Sequence, residues 1–588
     1  MSQVKMLLRA LAVTLMASAI LADAASQPAV EAKHGMVVSS QRYASEAGVR
    51  ILQQGGNAID AAVAVGYALA VVNPCCGNIG GGGFMTIHLA DGRDTFINFR
   101  EMAPAAARER MYLDPQGNAI KDLSLYGYLA AGVPGTVMGL DRALTKYGRM
   151  QRAKVMAPAI SLARVGFILN RSDTDILDTQ VDRLRKDPAA AKIFLRADGK
   201  PFEPGDRLVQ KDLASTLELI AKQGPDAFYK GPIAKAVEEA SQANGGILTA
   251  KDFANYTVTE GPPLTCNYRG YVLISSPPPS SGGTTICEVF NILEGYDLKA
   301  LGFRSAQSVH LITEAMRHAF MDRNTYLGDP AFVKNPLDRL LSKEYAAAIR
   351  AKIDPEKATV SKAVQPGIEP HEKSETTHYS VVDSEGNAVS VTYTINGSFG
   401  ATVVAPGTGF LLNNEMDDFT VKPGVPNLFG LIQGKANSVA PGKRPLSSMS
   451  PTLVTKDGKI FLVVGSPGGP RIITITLETI MNIIDYGMAP QEAVDAPRIH
   501  HQWLPDEVFY EPYGLSPDTV KILRSMDYKL TEQAPWGAAE LIEIGAIRAS
   551  ARGPSSSAND AAVSGKVRTG FIYGANDNRR PAGAAVGY

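Results

Sequence analysis

A mixed helix-and-sheet (α+β) fold is predicted by three features of this 588-residue chain. Segments of helical periodicity recur along it, strand-like runs pair across glycine-containing turns, and Gly and Pro punctuate the intervals. The length exceeds the roughly 100–200 residues of one domain, so several domains or one large layered core would fit it. With 45% hydrophobic and 20% charged residues, the composition is that of a soluble globular protein with a sizeable core. Lys+Arg 59 against Asp+Glu 59 leaves no net charge, so nothing global attracts nucleic acid or anionic lipid. Any partner must be recognised locally.

The elements follow in order. Lys5 and Arg9 precede an apolar run over residues 11–21, and Ala22-Asp23-Ala24 supplies small residues at a cleavage site. This predicts a secretory signal peptide over 1–24 and a periplasmic or secreted mature chain from about Ala25. The run is too short for a membrane anchor, which needs about 20 apolar residues. Residues 43–72 read as two helices broken at Gly55-Gly56, the second apolar, carrying Asp60 and buried rather than membrane-spanning. Asn73-Pro74 stops it. A hairpin follows, residues 86–89 and 95–100 turning at Asp91-Gly92. The section 134–352 shows helical patterns at 213–222, 233–244 and 308–321. Residues 376–382 and 388–394 form a second hairpin around Gly386; 460–464 reads as a strand, 465–469 as a tight turn and 472–486 as an apolar helix.

No metal or cofactor is predicted. Cys75 and Cys76 lack C-x-x-C spacing and are read as structural, while a Cys266 to Cys287 bridge is left open. His371-Glu372 is not H-E-x-x-H, and His500-His501 lacks the i, i+4 spacing of a helical metal pair. Gly80 to Gly83 has no Gly-Lys-Ser/Thr after it and no G-x-G-x-x-G spacing, so it reads as close packing rather than a nucleotide loop.

The chemistry concentrates at residue 376. Residues 354–375 carry few large apolar side chains, several Lys and Glu, and Pro355, Pro366 and Pro370, the composition of an exposed, flexible connection. A strand opening Thr-Thr-His follows directly. Cleavage between Glu375 and Thr376 would give one residue both a hydroxyl nucleophile and a free amine, whose ordinary pKa of about 7.7–8.0 suits it as the base. Taken alone, a threonine opening a strand is more often only a β-former.

Longer motifs decide the matter. Thr376-Thr377-His378-Tyr379-Ser380-Val381, followed by residues 386–396 ending Tyr393-Thr394-Ile395-Asn396, resembles the signature of the gamma-glutamyltranspeptidases, a family of N-terminal-nucleophile hydrolases. Asn78 to Phe84, Phe99-Arg100-Glu101, Leu412 to Phe419, Pro445 to Pro451 and Gly465 to Gly469 agree, so the resemblance runs from about residue 34 to Tyr588.

The resemblance implies a four-layer αββα sandwich, with a large subunit (25–375) and a small one (376–588) sharing one core after self-cleavage. It implies a γ-glutamyl hydrolase and acyltransferase acting on glutathione and related γ-glutamyl compounds, with water, amino acids or peptides as acceptors. Thr376 would be the nucleophile, Thr394 the hydroxyl that orients it, and the Gly468 and Gly469 N–H groups the oxyanion donors. Arg100, Ser447 and Ser448 would hold the substrate α-carboxylate, and Asn396, Glu415 and Asp418 its ammonium. Phe429, in a Gly- and Pro-rich stretch over 423–440, would gate the pocket where family lids often carry Tyr. A glutaryl (cephalosporin) acylase shares the family's fold and self-processing, but its substrate lacks the amino group that Asp418 would meet.

Overall fold

The computed structural model describes residues 26–361, 374–545 and 570–588. The predicted signal peptide and most of the loop before Thr376, with His371 and Glu372, lie outside the described residues. Two seven-stranded antiparallel sheets dominate. The first runs in the order Ala584–Gly587, Met36–Ser39, Ser374–Val382, Ala388–Gly397, Gly82–His88, Asp94–Phe99, Thr259–Gly261. The second runs Val30–Ala32, Ile572–Asn576, Glu540–Ile544, Lys459–Gly465, Thr452–Lys456, Tyr271–Ser275, Leu264–Tyr268.

The sheets pack face to face, and hydroxyls on one are satisfied by carbonyls of the other. Ser380 Oγ donates to the Glu540 carbonyl at 3.0 Å, Ser390 Oγ to Val464 at 3.2 Å, and Thr86 Oγ1 to Pro451 at 3.0 Å. A buried hydroxyl without such a partner would cost its desolvation, so these contacts fix the spacing of the layers. Gly465 is needed there because a Cβ would come within 2.3 Å of the His378 ring.

Helices cover the outer faces. Arg42–Gln53, Ala58–Val72 and Thr136–Tyr147 pack on the first sheet, and Gly282–Leu293 and Arg471–Ile484 on the second, while Arg152–Val165 packs on Ala58–Val72 and Ala306–Tyr326 on Gly282–Leu293. Ala58–Val72 is buried along its whole length, as an all-round apolar helix must be. Its one charge, Asp60, closes a capping box with Asn57 and accepts the Arg149 and Met150 N–H groups. Among the described residues no helix is long and apolar enough to cross a membrane.

Three features depart from the sequence expectation. The section read only as helical supplies Thr259–Gly261, which pairs with Asp94–Phe99, and the hairpin Leu264–Tyr268 and Tyr271–Ser275, whose second strand pairs with Thr452–Lys456; local periodicity does not reveal such distant mates. The nucleophile strand begins at Ser374, before Thr376, because the uncleaved backbone continues its pairing with Ala388–Gly397. All four cysteines are oxidised. Cys266–Cys287 ties a strand to the helix covering it with an S–S distance of 2.01 Å, and the adjacent Cys75 and Cys76 bond to each other.

Candidate active site

Thr376 sits where the nucleophile strand meets its neighbour with a register irregularity: Ser374 pairs with Gly397, but Thr376 pairs with Thr394. The irregularity spans the Glu375–Thr376 bond predicted to break, as a local departure from a uniform ladder would allow. Thr376 is 7% exposed, and its Oγ1 donates to Thr394 Oγ1 at 3.3 Å. The Asn396 N–H donates to the same Thr394 oxygen at 2.8 Å, with Asn396 held at φ 75. A left-handed asparagine is uncommon, and here it turns the chain so that its amide faces back on the hydroxyl pair. Thr377 anchors the strand from the other face, meeting Ser40 Oγ at 2.9 Å and the Asn73 amide at 3.1 Å. Behind lies His378, between Thr392 and Ser380, whose burial pulls it down to about 3 and keeps it neutral. In the glycine run, a Cβ at Gly81 would reach 1.9 Å from the Thr394 carbonyl, which confirms close packing beside the nucleophile.

Gly468 and Gly469 end the strand Lys459–Gly465 and precede the helix Arg471–Ile484. Their φ values of 137 and 53 favour glycine, and within the described residues neither N–H is committed to a hydrogen bond. Only Gly469 borders the cavity.

That cavity brings together Thr376, Thr394, Asn396, Arg100, Asp418, Phe429, Ser447, Ser448 and Gly469. Glu415 and Gly468 stand behind its wall, and nothing is described of the Glu375 side chain. Opposite the nucleophile lies an ionic cluster. Arg100, fully buried, has Nη1 2.6 Å from Glu415 and 3.4 Å from Glu101, while Nη2 bonds Asp418. Arg100 Nε also donates to the Pro445 carbonyl at 3.2 Å. One guanidinium cannot neutralise all three carboxylates, of which Glu101 and Glu415 are fully buried. Burial, opposed by Arg100, raises Glu101 to about 7 and lifts Glu415 well above the carboxylate range. Asp417 is likewise raised to about 6 by burial, against hydrogen bonds from Ser124 Oγ at 2.6 Å and the Leu428 N–H at 2.9 Å.

The stretch 423–440 closes the cavity through Asn427, Phe429, Leu431 and Gln433. Phe429 is buried there, its N–H on Asn427 Oδ1 at 3.1 Å and its carbonyl accepting from Gln502 at 3.3 Å. Sequence reasoning missed Gln433, Met449, Ile472 and Arg323. The last lies just beyond a correctly read helical pattern, and no local spacing marks it as a pocket residue.

Comparison with known proteins places this geometry. A glutathione hydrolase proenzyme from Pseudomonas sp. (strain A14) is 58% identical over 96% of both chains. Among solved structures, Helicobacter pylori gamma-glutamyltranspeptidase matches 60% of this chain and 99% of its own at 43% identity and TM-score 0.55. A cephalosporin acylase from Bacillus halodurans matches 97% of this chain and 99% of its own at 27% identity and TM-score 0.80. The gamma-glutamyltranspeptidase family profile matches residues 44–586. With the profile matching residues 44–586 and the Pseudomonas relative 58% identical over 96% of both chains, the chain belongs to the gamma-glutamyltranspeptidase family, self-processing enzymes that hydrolyse and transfer γ-glutamyl groups.

Proposed function

We propose that this chain performs the γ-glutamyl chemistry with Thr376 as nucleophile and the Arg100–Asp418 wall as the receptor for the substrate's amino-acid end. The observation carrying this reading is that one cavity holds both groups. A γ-glutamyl compound carries an α-ammonium beside an α-carboxylate, and Asp418 beside Arg100 presents the complementary pattern. Asn396, Ser447 and Ser448 add neutral partners, and Glu415 holds Arg100 from behind. A glutaryl substrate would bring no ammonium to Asp418, which disfavours an acylase of that specificity.

In the uncleaved chain the Thr376 nitrogen is an amide and no base. Cleavage after Glu375 frees it, separating a large subunit (25–375) from a small one (376–588) that share the two packed sheets in a four-layer αββα arrangement. The amine then takes the Thr376 hydroxyl proton as Oγ1 attacks the γ-carbonyl. Gly468 and Gly469 N–H groups meet the developing oxyanion. The C–N bond breaks, the proton passes to the leaving amine, and a γ-glutamyl ester remains on Thr376. Water, an amino acid or a peptide attacks that ester and restores the enzyme. The apolar run after Lys5 and Arg9 supports export to the periplasm or medium.

Intact-mass analysis with N-terminal sequencing tests the central step. Two fragments are expected, the smaller opening Thr-Thr-His-Tyr. A single uncleaved, inactive chain would remove Thr376 as the catalyst.

A further inference from the structure

The cavity holds two fully buried arginines, and they are not alike. Arg100 carries three carboxylate partners. Arg323, near the end of the helix Ala306–Tyr326 and 1% exposed, has none within ion-pair distance among the described residues. Each of its contacts is neutral: Nε donates to Ser281 Oγ at 2.9 Å, Nη1 to Asn324 Oδ1 at 2.7 Å and Gln433 Oε1 at 3.5 Å, and Nη2 to Ser448 Oγ at 3.0 Å. Burial pulls its pKa down to about 10, so it remains cationic at neutral pH. Asp418 acts on it from beyond ion-pair distance, but a buried charge with no direct counter-ion is still costly, and a ligand carboxylate entering the cavity would offset that cost.

The contacts also have a direction. A serine hydroxyl has one proton and two acceptor sites. With the Arg323 N–H groups occupying an acceptor site on Ser448, the Ser448 proton is left to donate into the cavity. Ser281, gripped by Arg323 Nε, in turn donates from its Oγ to the Ser447 carbonyl at 2.6 Å and from its N–H to the same carbonyl at 2.7 Å. One guanidinium therefore braces both serines of the wall, directly at Ser448 and through Ser281 at Ser447.

We propose that Arg323 is a positioning residue for the substrate α-carboxylate: it orients Ser448 as a hydroxyl donor, holds the Ser447 backbone through Ser281, and adds to that wall a positive charge beyond the one Arg100 shares with its carboxylate neighbours. This rests on the placement of the α-carboxylate at that wall given above. A division of labour results. Arg100 with Asp418 reads the paired charges of the amino-acid end, and Arg323 makes the carboxylate itself obligatory.

The experiment compares L-γ-glutamyl-p-nitroanilide with 4-aminobutyryl-p-nitroanilide, which keeps the acyl chain and amine but replaces the α-carboxylate with hydrogen. Wild type, R323K, R323Q and S281A are prepared as mature two-chain enzyme, verified by mass. R323Q is expected to raise KM for the γ-glutamyl substrate about 10- to 100-fold, the loss of a charge-assisted contact, with kcat within about threefold. Its KM for the decarboxylated substrate should stay at the wild-type value. R323K should recover part of the loss, since it restores charge without the fork that reaches Ser281 and Ser448 together. If R323Q fails to mature, S281A, outside the cavity wall, should still show a several-fold KM rise confined to the carboxylated substrate. Equal losses on both substrates in these variants would make Arg323 a mere brace and overturn the proposal. A wild-type enzyme indifferent to the α-carboxylate would instead refute the underlying placement, and the proposal with it.

Discussion

The two ends of the cavity are built in opposite ways. At the nucleophile end, Thr376, Thr394 and Asn396 lie within one hairpin, linked by hydrogen bonds between neutral groups and fixed by strand register. At the amino-acid end, Arg100, the turn Glu415–Asp418, Ser447 and Arg323 arrive from four separate segments, Arg100 held by ion pairs to the turn and Arg323 by neutral hydrogen bonds to the serine wall. The difference teaches that the reacting group is placed by backbone geometry, which tolerates little, whereas recognition is placed by electrostatics. On the proposed mechanism, the Thr376 end stays uncharged because its base would form only when the Glu375–Thr376 bond breaks.

Thr376→Ala should break the nucleophile end outright. It should leave one uncleaved chain on a denaturing gel and lower turnover by at least about 10⁴-fold, as loss of a nucleophile does elsewhere. Cleavage and activity persisting in that variant would move the chemistry to another residue. At the other end, Arg100→Met strands Glu101, Glu415 and Asp418 without their cation, and removing one side of a buried pair costs about 3–5 kcal/mol. Urea unfolding should show a lowered midpoint, and an unchanged one would mean that the carboxylates already hold protons.

Thr394→Val tests the hydroxyl contact with little change of shape. Valine also removes the acceptor of the Asn396 N–H, but it is the lost contact with Thr376, about 1 kcal/mol, that predicts kcat lower by about fivefold to tenfold with KM unaffected. A rise in KM alone would place Thr394 in binding. Asp417, raised to about 6 by burial, supplies a pH test with a definite sign. Because the folded state holds its proton more tightly than the unfolded state, its stabilising contribution is complete below about pH 4 and disappears as pH rises through about 6. The melting temperature of wild type relative to Asp417→Asn should therefore fall by about 2–4 °C between pH 4 and 7. A difference that stays flat would show that Asp417 is ionised throughout. The smallest effect is expected from Phe429→Tyr, which keeps the ring on the cavity and should alter kcat/KM by less than about threefold. A tenfold change would give the lid a polar role that its phenylalanine does not suggest.

Much of the nucleophile end was legible in advance. The polar loop, the Thr-Thr-His strand opening and the hairpin around Gly386 are local features, and both strands appear where their alternation placed them, apart from the earlier start at Ser374. Asp60 had already marked Ala58–Val72 as a buried helix, and the cap it forms with Asn57 explains why a charge is tolerated there. The amino-acid end was legible only through motif resemblance, since a lone Arg100 or Asp418 is chemically indistinguishable from a surface residue. Glu415 shows the limit: the motif marked it, but packing turned it onto Arg100 behind the wall.

The sequence by itself determined the hairpin that carries Thr376 and Thr394, because its strands and turn depend on neighbours a few positions apart, while the choice of Thr376 as the reacting residue came from motif resemblance. Tertiary structure decided the rest. It brought Leu264–Tyr268 and the C-terminal strands into one sheet, oxidised all four cysteines in two pairs, and set Arg323 beside Ser448, 125 positions away along the chain. Such juxtapositions are settled by burial, as two sheets and their helices exclude water together, and no local pattern records which distant side chains will share the enclosed space.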